Sequence, residues 1–183
     1  HYKDTNDQFY VDYQNGRLDI MAYLRFSLKV LAEHDMAQLH FWREQFLAEK
    51  LDTMWLPKAE ALLQKHRDQG HTLMIITATN DFVTAPLADR LGVDHLIATV
   101  AECKRERYTG NVAGIPSYRG GKVERLAEWL RANNESLTGS WFYSDSHNDL
   151  PLLRKVDNPV AVDPDATLDR EAREQGWPVI SLR

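Results

Sequence analysis

Trp141-Phe-Tyr-Ser-Asp-Ser-His-Asn-Asp-Leu150 is the stretch whose reading decides the fold. Apolar and aromatic residues run into Ser144 and Asp145, and a second carboxylate, Asp149, follows four residues later. The pattern predicts a short buried strand over residues 140–144 that ends at Asp145 and turns into a helix near Asn148. In open α/β sheets, ligands sit just beyond the carboxyl ends of the strands, so both carboxylates fall where a site belongs. Two acids with an Asn and hydroxyls between them suit a hard cation such as Mg2+, which takes oxygen ligands and keeps room for water and phosphate. A plainer reading stands beside it: Asp145 ends a strand, and Asp149 sits in a first helical turn, where negative charge is favoured.

The chain of 183 residues suffices for one ordinary domain, or for a core with a small satellite domain. Lys and Arg number 22 against 27 Asp and Glu, a formal charge of −5, and the densest basic run, residues 104–107, is interrupted by Glu106. Nucleic-acid binding needs a concentrated positive face, so no nucleic acid is expected as a partner. The single cysteine, Cys103, excludes an internal disulfide and fits a reducing, cytoplasmic setting. No apolar run approaches transmembrane length and no signal-peptide pattern opens the sequence, so no membrane partner is expected either. Composition leaves a homo-oligomer open. The sequence starts at His1, not Met, with residues 2–13 already helical in pattern, and is expected to be the remainder of a longer protein.

Residues 1–56 are helical in period with almost no strand signal. Phe9 and Tyr13, then Met21, Leu24, Leu28 and Leu31, recur at three- and four-residue steps, the stripe of an amphipathic helix. Asn15-Gly16 separates the first helix from the second, and Asp19 can cap the second. A third helix is predicted over residues 35–51, with Leu39, Trp42, Phe46 and Met36 facing inward. The segment could be a three-helix bundle with no function of its own. After Leu56 the texture changes. Pro57 fits a first helical turn and Gly70 closes that helix. An apolar run over 71–79 reads as a strand, followed by a helix over 81–91 ended by Gly92. A strand at 96–99, a hairpin of 100–103 with 108–112, and a helix from 121 to 132 come next. Strand 140–144, a strand at 160–162, a helix at 165–175 and a last strand at 178–181 complete the order. Strands alternating with helices predict a parallel sheet covered on both faces. The fold class is α/β, with residues 1–56 as a helical segment ahead of a core over 57–183.

Three loops then offer polar groups. Thr77 ends one strand just before a helix, so its hydroxyl and the following N–H groups can face an anion, as helix amino-termini do; alternatively, Thr77 or Thr79 merely caps that helix. Lys122 stands at the start of its own helix after Gly120-Gly121, against the helix dipole, which is unfavourable unless it faces a negative partner. It could also be a solvated surface lysine. With Asp145 and Asp149, these groups would neutralise a phosphate and hold Mg2+, a collection suited to phosphoryl transfer, which depends on positioning and charge neutralisation.

In order and spacing, Ile-Ile-Thr-Ala-Thr79, Gly-Gly-Lys-Val-Glu-Arg-Leu126 and Tyr-Ser-Asp-Ser-His-Asn-Asp-Leu-Pro-Leu152 resemble motifs II, III and IV of the haloacid dehalogenase (HAD) superfamily. The resemblance is nearest to the subfamily IB hydrolases, the phosphoserine phosphatase-like group that also includes histidinol-phosphatases. It covers nearly the whole chain and implies a HAD-like Rossmannoid parallel sheet with a C1-type helical cap at residues 1–56. It also implies a Mg2+-dependent phosphatase acting on a small phosphorylated metabolite. By that resemblance Thr77 hydrogen-bonds the transferring phosphoryl group, assisted by the N–H of Ala78. Lys122 neutralises the phosphoryl oxygens, Asp145 ligates Mg2+, and Asp149 binds the metal or orients a metal-bound water. Asn148 lies near the substrate. The cap chooses the leaving group, for which Arg17, Arg25, Trp42 and Arg43 are candidates, while Tyr118 and Arg119 either face the pocket mouth or form a solvated loop.

One motif is missing. The family's nucleophile and general acid/base form an Asp-x-Asp on the first core strand, and no part of this sequence is read as its match; Asp4, Asp7, Asp12 and Asp19 belong to the helical segment. The resemblance places that strand before His1 and in the middle of the sheet, so its two neighbours are expected to carry unpaired edges. Two other functions stay open: a non-catalytic remnant that holds a phosphorylated ligand, and a phosphotransferase of the same fold. The 183-residue polypeptide is expected to show no Mg2+-dependent turnover of p-nitrophenyl phosphate, whereas the full-length protein turns over. Robust turnover by the shorter form would overturn that expectation.

Overall fold

The computed structural model describes residues 2–183. Three helices come first: α1 (Tyr2–Gln14), α2 (Ile20–Glu33) and α3 (Met36–Met54). Asp19 caps α2 by accepting the N–H groups of Met21 and Ala22, both at 3.0 Å. Asp35 does the same for α3 through the N–H of Gln38 at 2.8 Å. These caps satisfy amide groups that a helix start leaves without partners, which is why the breaks at Asn15-Gly16 and His34 are sharp.

The helical segment closes no core by itself. Leu24, Leu28 and Leu31 of α2 and Leu39 of α3 pack with Phe82 and Ala101, and Tyr108 and Val112 cover the same cluster. Two inward expectations fail on α3: Trp42 and Phe46 are exposed. The inward face lies one residue further on, where Arg43 stacks its guanidinium 4.7 Å from the Phe82 ring centroid and donates to the Phe82 carbonyl at 3.1 Å. A long side chain that offers both a cation and a donor wins the face from an indole, which instead rests edge-on against His34. Met21 is exposed as well, because Asp19 fixes the start of α2 so that Leu24 and Leu28 take the buried stripe.

The remainder alternates. In order come α4 (Pro57–Asp68), β1 (Met74–Asn80), α5 (Asp81–Leu91), β2 (His95–Lys104), β3 (Arg107–Ala113) and α6 (Gly120–Asn133). Then follow β4 (Trp141–Ser144), a single 3-10 turn (His147–Asp149), α7 (Leu150–Leu153), β5 (Asn158–Val162), α8 (Ala166–Gln175) and β6 (Val179–Ile180). The expected strand at 96–99 and the first hairpin arm are one strand, β2. Its first half pairs parallel with β1 (Ile76↔Ile97) and its second half antiparallel with β3 (Cys103↔Tyr108). No turn residue stands between Thr99 and Val100, so nothing interrupts the apolar run. β1 begins later than its apolar run does, because the Leu73 N–H is taken by the Asp94 carboxylate at 2.7 Å.

The strands form two sheets, ordered β1-β2-β3 and β4-β5-β6, with β1–β2, β4–β5 and β5–β6 all parallel. β1 and β4 are each an edge strand, with no ladder between them among the described residues, and their carboxyl ends line one cleft across a seam. Side chains span it instead: Ile97, Leu126 and Leu152 pack with Met74, Ile76 and Phe142 of the two facing strands' layer. No helix among the described residues is long and apolar enough to cross a membrane. Leu28 is 1% exposed at the centre of the cluster that joins α2 to the sheet. Leu28→Ala is expected to lower the unfolding free energy by about 2–5 kcal/mol in urea titration, far more than Trp42→Ala on the exposed face.

Candidate active site

At its carboxyl end the seam widens into a cleft of about 620 Å³. Its floor is made by residues 76–79 at the end of β1 and residues 142–145 at the end of β4, with Lys122 and Asp149 behind them. Its roof comes from α1 and the start of α2: Asn6, Phe9, Tyr10, Tyr13, Leu18, Ile20 and Tyr23. The floor is charged and rich in hydroxyls. None of the roof residues carries a charge.

Lys122 is buried, and its Nζ stands 2.6 Å from Asp149 Oδ1. The local chain explains how a lysine enters the interior so early in a helix. Ser117 anchors the preceding loop, its N–H donating to Thr99 Oγ1 at 3.1 Å and its hydroxyl to the Ile97 carbonyl at 3.2 Å. At Gly121 any Cβ would collide with the Pro116 carbonyl oxygen, so only glycine lets α6 start this close to the loop. The reading of Lys122 as a solvated lysine is excluded, and its conflict with the helix dipole is answered by the carboxylate.

Asp149 accepts a second bond, from the Ser144 hydroxyl at 2.7 Å, and the Ser146 N–H donates to Ser144 Oγ at 3.1 Å. Asp145, by contrast, is exposed to the cleft, and its carboxylate makes no hydrogen bond or ion pair with a described residue. Thr77 and Ala78 line the floor beside it. Thr77 is not the cap of α5; Asn80 is, accepting the Val83 N–H at 3.1 Å. The Thr77 hydroxyl instead accepts the Thr79 N–H at 3.2 Å, which holds the turn and leaves its own proton available to a ligand.

Asn148 differs from expectation. It is buried and is not among the residues that line the cleft. Its Oδ1 accepts from the Tyr118 hydroxyl at 3.0 Å and from Arg119 Nε at 2.9 Å, and its Nδ2 donates to the Tyr13 carbonyl at 3.3 Å. Tyr13 also donates its hydroxyl to Ser146 Oγ at 2.7 Å. Burial raises the Tyr13 phenol above its ordinary range; the bonds with Ser146 and Asn148 oppose the rise and the Asp149 and Asp145 charges add to it, so Tyr13 remains a neutral donor.

Thr77, Ala78, Lys122, Asp145 and Asp149 thus share one cleft, while Asn148 braces it from behind. The four candidates for the leaving-group contact do not line it. Arg17 lies 3.9 Å from Asp12, Arg25 and Trp42 are exposed, and Arg43 is engaged with Phe82. The wall is aromatic instead. Phe9 and Tyr13, four residues apart on α1, read as a core stripe, and spacing alone does not distinguish a stripe that faces a core from one that faces a cavity. An Asp-x-Asp after an apolar strand was also overlooked: Asp163-Pro-Asp165 follows β5. Asp163 lines the same cleft, 3.9 Å from the Arg183 guanidinium, but both carboxylates already have partners. Asp163 accepts the Leu182 N–H at 3.1 Å, and Asp165 caps α8 and accepts the His147 N–H and imidazole at 2.7 and 2.8 Å.

The donor set fits Mg2+ in a limited way. No group of three His, Cys, Asp or Glu side chains that could hold a metal exists among the described residues. Mg2+ commonly takes only one or two carboxylates and leaves its other positions to water and phosphate. Asp145, with an unengaged carboxylate, suits direct ligation; Asp149, already held by Lys122 and Ser144, suits a place behind a water.

A family model described as haloacid dehalogenase-like hydrolase matches residues 4–154. The chain is 43% identical over 182 residues to histidinol-phosphatase of Neisseria meningitidis serogroup C (strain 8013), across 97% of this chain and 82% of that protein. Its structure is similar to that of a protein of unknown function from Bordetella pertussis Tohama I, with a TM-score of 0.92 at 39% identity, covering 99% and 82% of the two chains. A substrate-bound phosphoserine phosphatase shares the fold with a TM-score of 0.71 at 16% identity, covering 97% and 79%. The chain spans about half, 54%, of the length of two further relatives that are 34% identical to it.

Removing Lys122 would leave Asp149 buried without its counter-charge. Lys122→Met is expected to lower the unfolding free energy by about 3 kcal/mol, and restoring neutrality with Asp149→Asn in the same chain to recover part of that loss. Additive losses from the two substitutions in chemical denaturation would show that the pair is not coupled.

Proposed function

We propose a reaction for this chain from one premise: it belongs to the haloacid dehalogenase-like hydrolases, and its relatives in that family include phosphatases. The reaction is Mg2+-dependent hydrolysis of a small phosphomonoester through an aspartyl-phosphate. The observation that carries it is the cleft floor, where Thr77, Lys122, Asp145 and Asp149 converge at the ends of two facing strands.

In this reaction the Thr77 hydroxyl and the Ala78 N–H hold the oxygens of the phosphoryl group. Lys122 supplies positive charge at the same place and holds the Asp149 side chain in position at 2.6 Å. Asp145 would hold Mg2+, with Asp149 orienting one of its waters. Bound Mg2+ would polarise a phosphoryl oxygen and offset the charge that develops on it. We assign none of the carboxylates of this chain to the attack on phosphorus. A carboxylate carried on a further strand, seated in the seam between β1 and β4, forms the new P–O bond as the ester oxygen leaves. Its Asp-x-Asp partner protonates that oxygen, and water then cleaves the aspartyl-phosphate. The unpaired facing edges of β1 and β4 support this arrangement. By the same reading, the 183-residue polypeptide alone does not turn over.

The roof narrows the leaving group. The lining cations, Lys122 and Arg183, already lie 2.6 Å from Asp149 and 3.9 Å from Asp163, and the roof adds none, so the carboxylate of a phosphorylated amino acid would find no cation on the roof to meet it. A ring or an organic cation would be held well by Phe9, Tyr10, Tyr13 and Tyr23, through stacking and cation–π contact. Histidinol phosphate has both features, and the Neisseria relative is named for it. The full-length enzyme, assayed with Mg2+ on phosphorylated metabolites, is expected to show kcat/KM for histidinol phosphate at least about a hundredfold above that for phosphoserine, a selectivity on the scale that buried unpaired polar groups impose. Preference for phosphoserine would overturn this assignment of the leaving group.

A further inference from the structure

Arg119 is held in an unfavourable backbone conformation, φ 48° and ψ −120°, at the entrance to α6. Glycine sits there without strain, but a residue with a Cβ does not. Such conformations persist where the surroundings over-determine them, and they concentrate at clamps and switch regions. What surrounds Arg119 is specific. Its Nε donates to Asn148 Oδ1 at 2.9 Å, a second guanidinium nitrogen donates to the carbonyl of Gly16, and the guanidinium lies 5.2 Å from the Tyr118 ring centroid.

Those partners belong to separate parts of the molecule. Gly16 lies in the turn between α1 and α2, whose residues form the roof of the cleft. Asn148 precedes Asp149 on the floor. The backbone of Arg119 itself accepts the Lys122 N–H at 3.1 Å, so a shift of Arg119 moves the lysine. The turn is seated tightly: a Cβ at Gly16 would come within 3.1 Å of both the Arg119 guanidinium and His147 Nε2. Tyr13, through its carbonyl to Asn148 and its hydroxyl to Ser146, makes a parallel link from the roof to the same loop.

We propose that Arg119 is a positioning residue that clamps the roof of the cleft to the loop bearing Asp145 and Asp149, so that closure over the substrate and alignment of Lys122 occur together. The guanidinium touches no reacting atom. Its planar fork reaches two acceptors on different segments at once, which a lysine cannot reproduce. The backbone strain then has a reason, since an arginine at this position is the residue that can reach both. The proposal rests on the phosphatase reading for its kinetic consequence and on geometry alone for its structural one.

Two variants of the full-length enzyme separate these. Arg119→Gly relieves the strain while removing the clamp, and Arg119→Lys keeps one contact. The Gly variant is expected to unfold at the same temperature as the parent or higher. Its KM is expected to rise about tenfold as the closed state loses population, with a smaller change in kcat. Amide exchange of residues 12–18 is expected to speed up, with the Lys variant between parent and Gly variant in both readouts. Unchanged exchange at residues 12–18 together with unchanged KM in Arg119→Gly would overturn the clamp. So would a fall in unfolding temperature with KM unaltered, which is the signature of a purely structural residue. If the parent hydrolyses no phosphomonoester, the phosphatase reading fails, and the exchange measurement still decides the clamp.

Discussion

Lys122 and Asp149 meet at 2.6 Å, both nearly withdrawn from water, at the seam between two sheets that share no backbone hydrogen bond. A lysine from the helix after the first sheet is matched with a carboxylate from the turn after the first strand of the second. Either charge alone at that depth would cost several kcal/mol, on the order of a large share of a domain's net stability. The pair therefore ties the relative position of β1 and β4 to the position of two side chains that line the cleft. Around it, Ile97, Leu126 and Leu152 supply non-directional adhesion. The ion pair supplies the register that adhesion does not.

The cleft divides its work by element type. Its floor comes from strand ends and helix starts, where hydroxyls, amides and charges gather because backbone groups are left over there. Its roof comes from one face of α1 and the start of α2, where a helical period gathers aromatic rings instead. The floor is therefore polar and charged, and the roof aromatic and uncharged. Of the roof helices, α2 shares its buried leucines with Phe82 and Ala101 of the sheet layer, and α1 rests on α2 through Phe9 against Tyr23 and Phe26, so the roof is braced from its far side as well as by Asn148 and Arg119.

Much of the fold was legible along the chain because its signals are local. Asp19 before an apolar run, Pro57 at a first turn and Gly92 after a last one mark helix ends through the needs of the adjacent backbone. The misreadings share a different origin. Trp42 and Phe46 were placed inward by hydrophobicity, but the inward angle of α3 is set by Arg43 against Phe82, 39 residues away. Asn148 stands in the motif with Asp145 and Asp149, and its amide is taken up by Tyr13, Tyr118 and Arg119.

By itself the sequence determined the alternation of strands and helices, the identity of Thr77, Lys122, Asp145 and Asp149 as groups suited to a phosphate and a cation, and the nearness of each to a strand end or helix start. These follow from period, caps and donor chemistry, which act within a few residues. Only the tertiary structure decided that Lys122 is buried against Asp149, that the aromatic face of α1 is a cavity wall, and that Asn148 and Arg119 join roof to floor. Each of those depends on contacts between distant segments. Whether a given stripe or charge meets a partner, a cavity or water is set by packing, and packing is not written in any one stretch of chain.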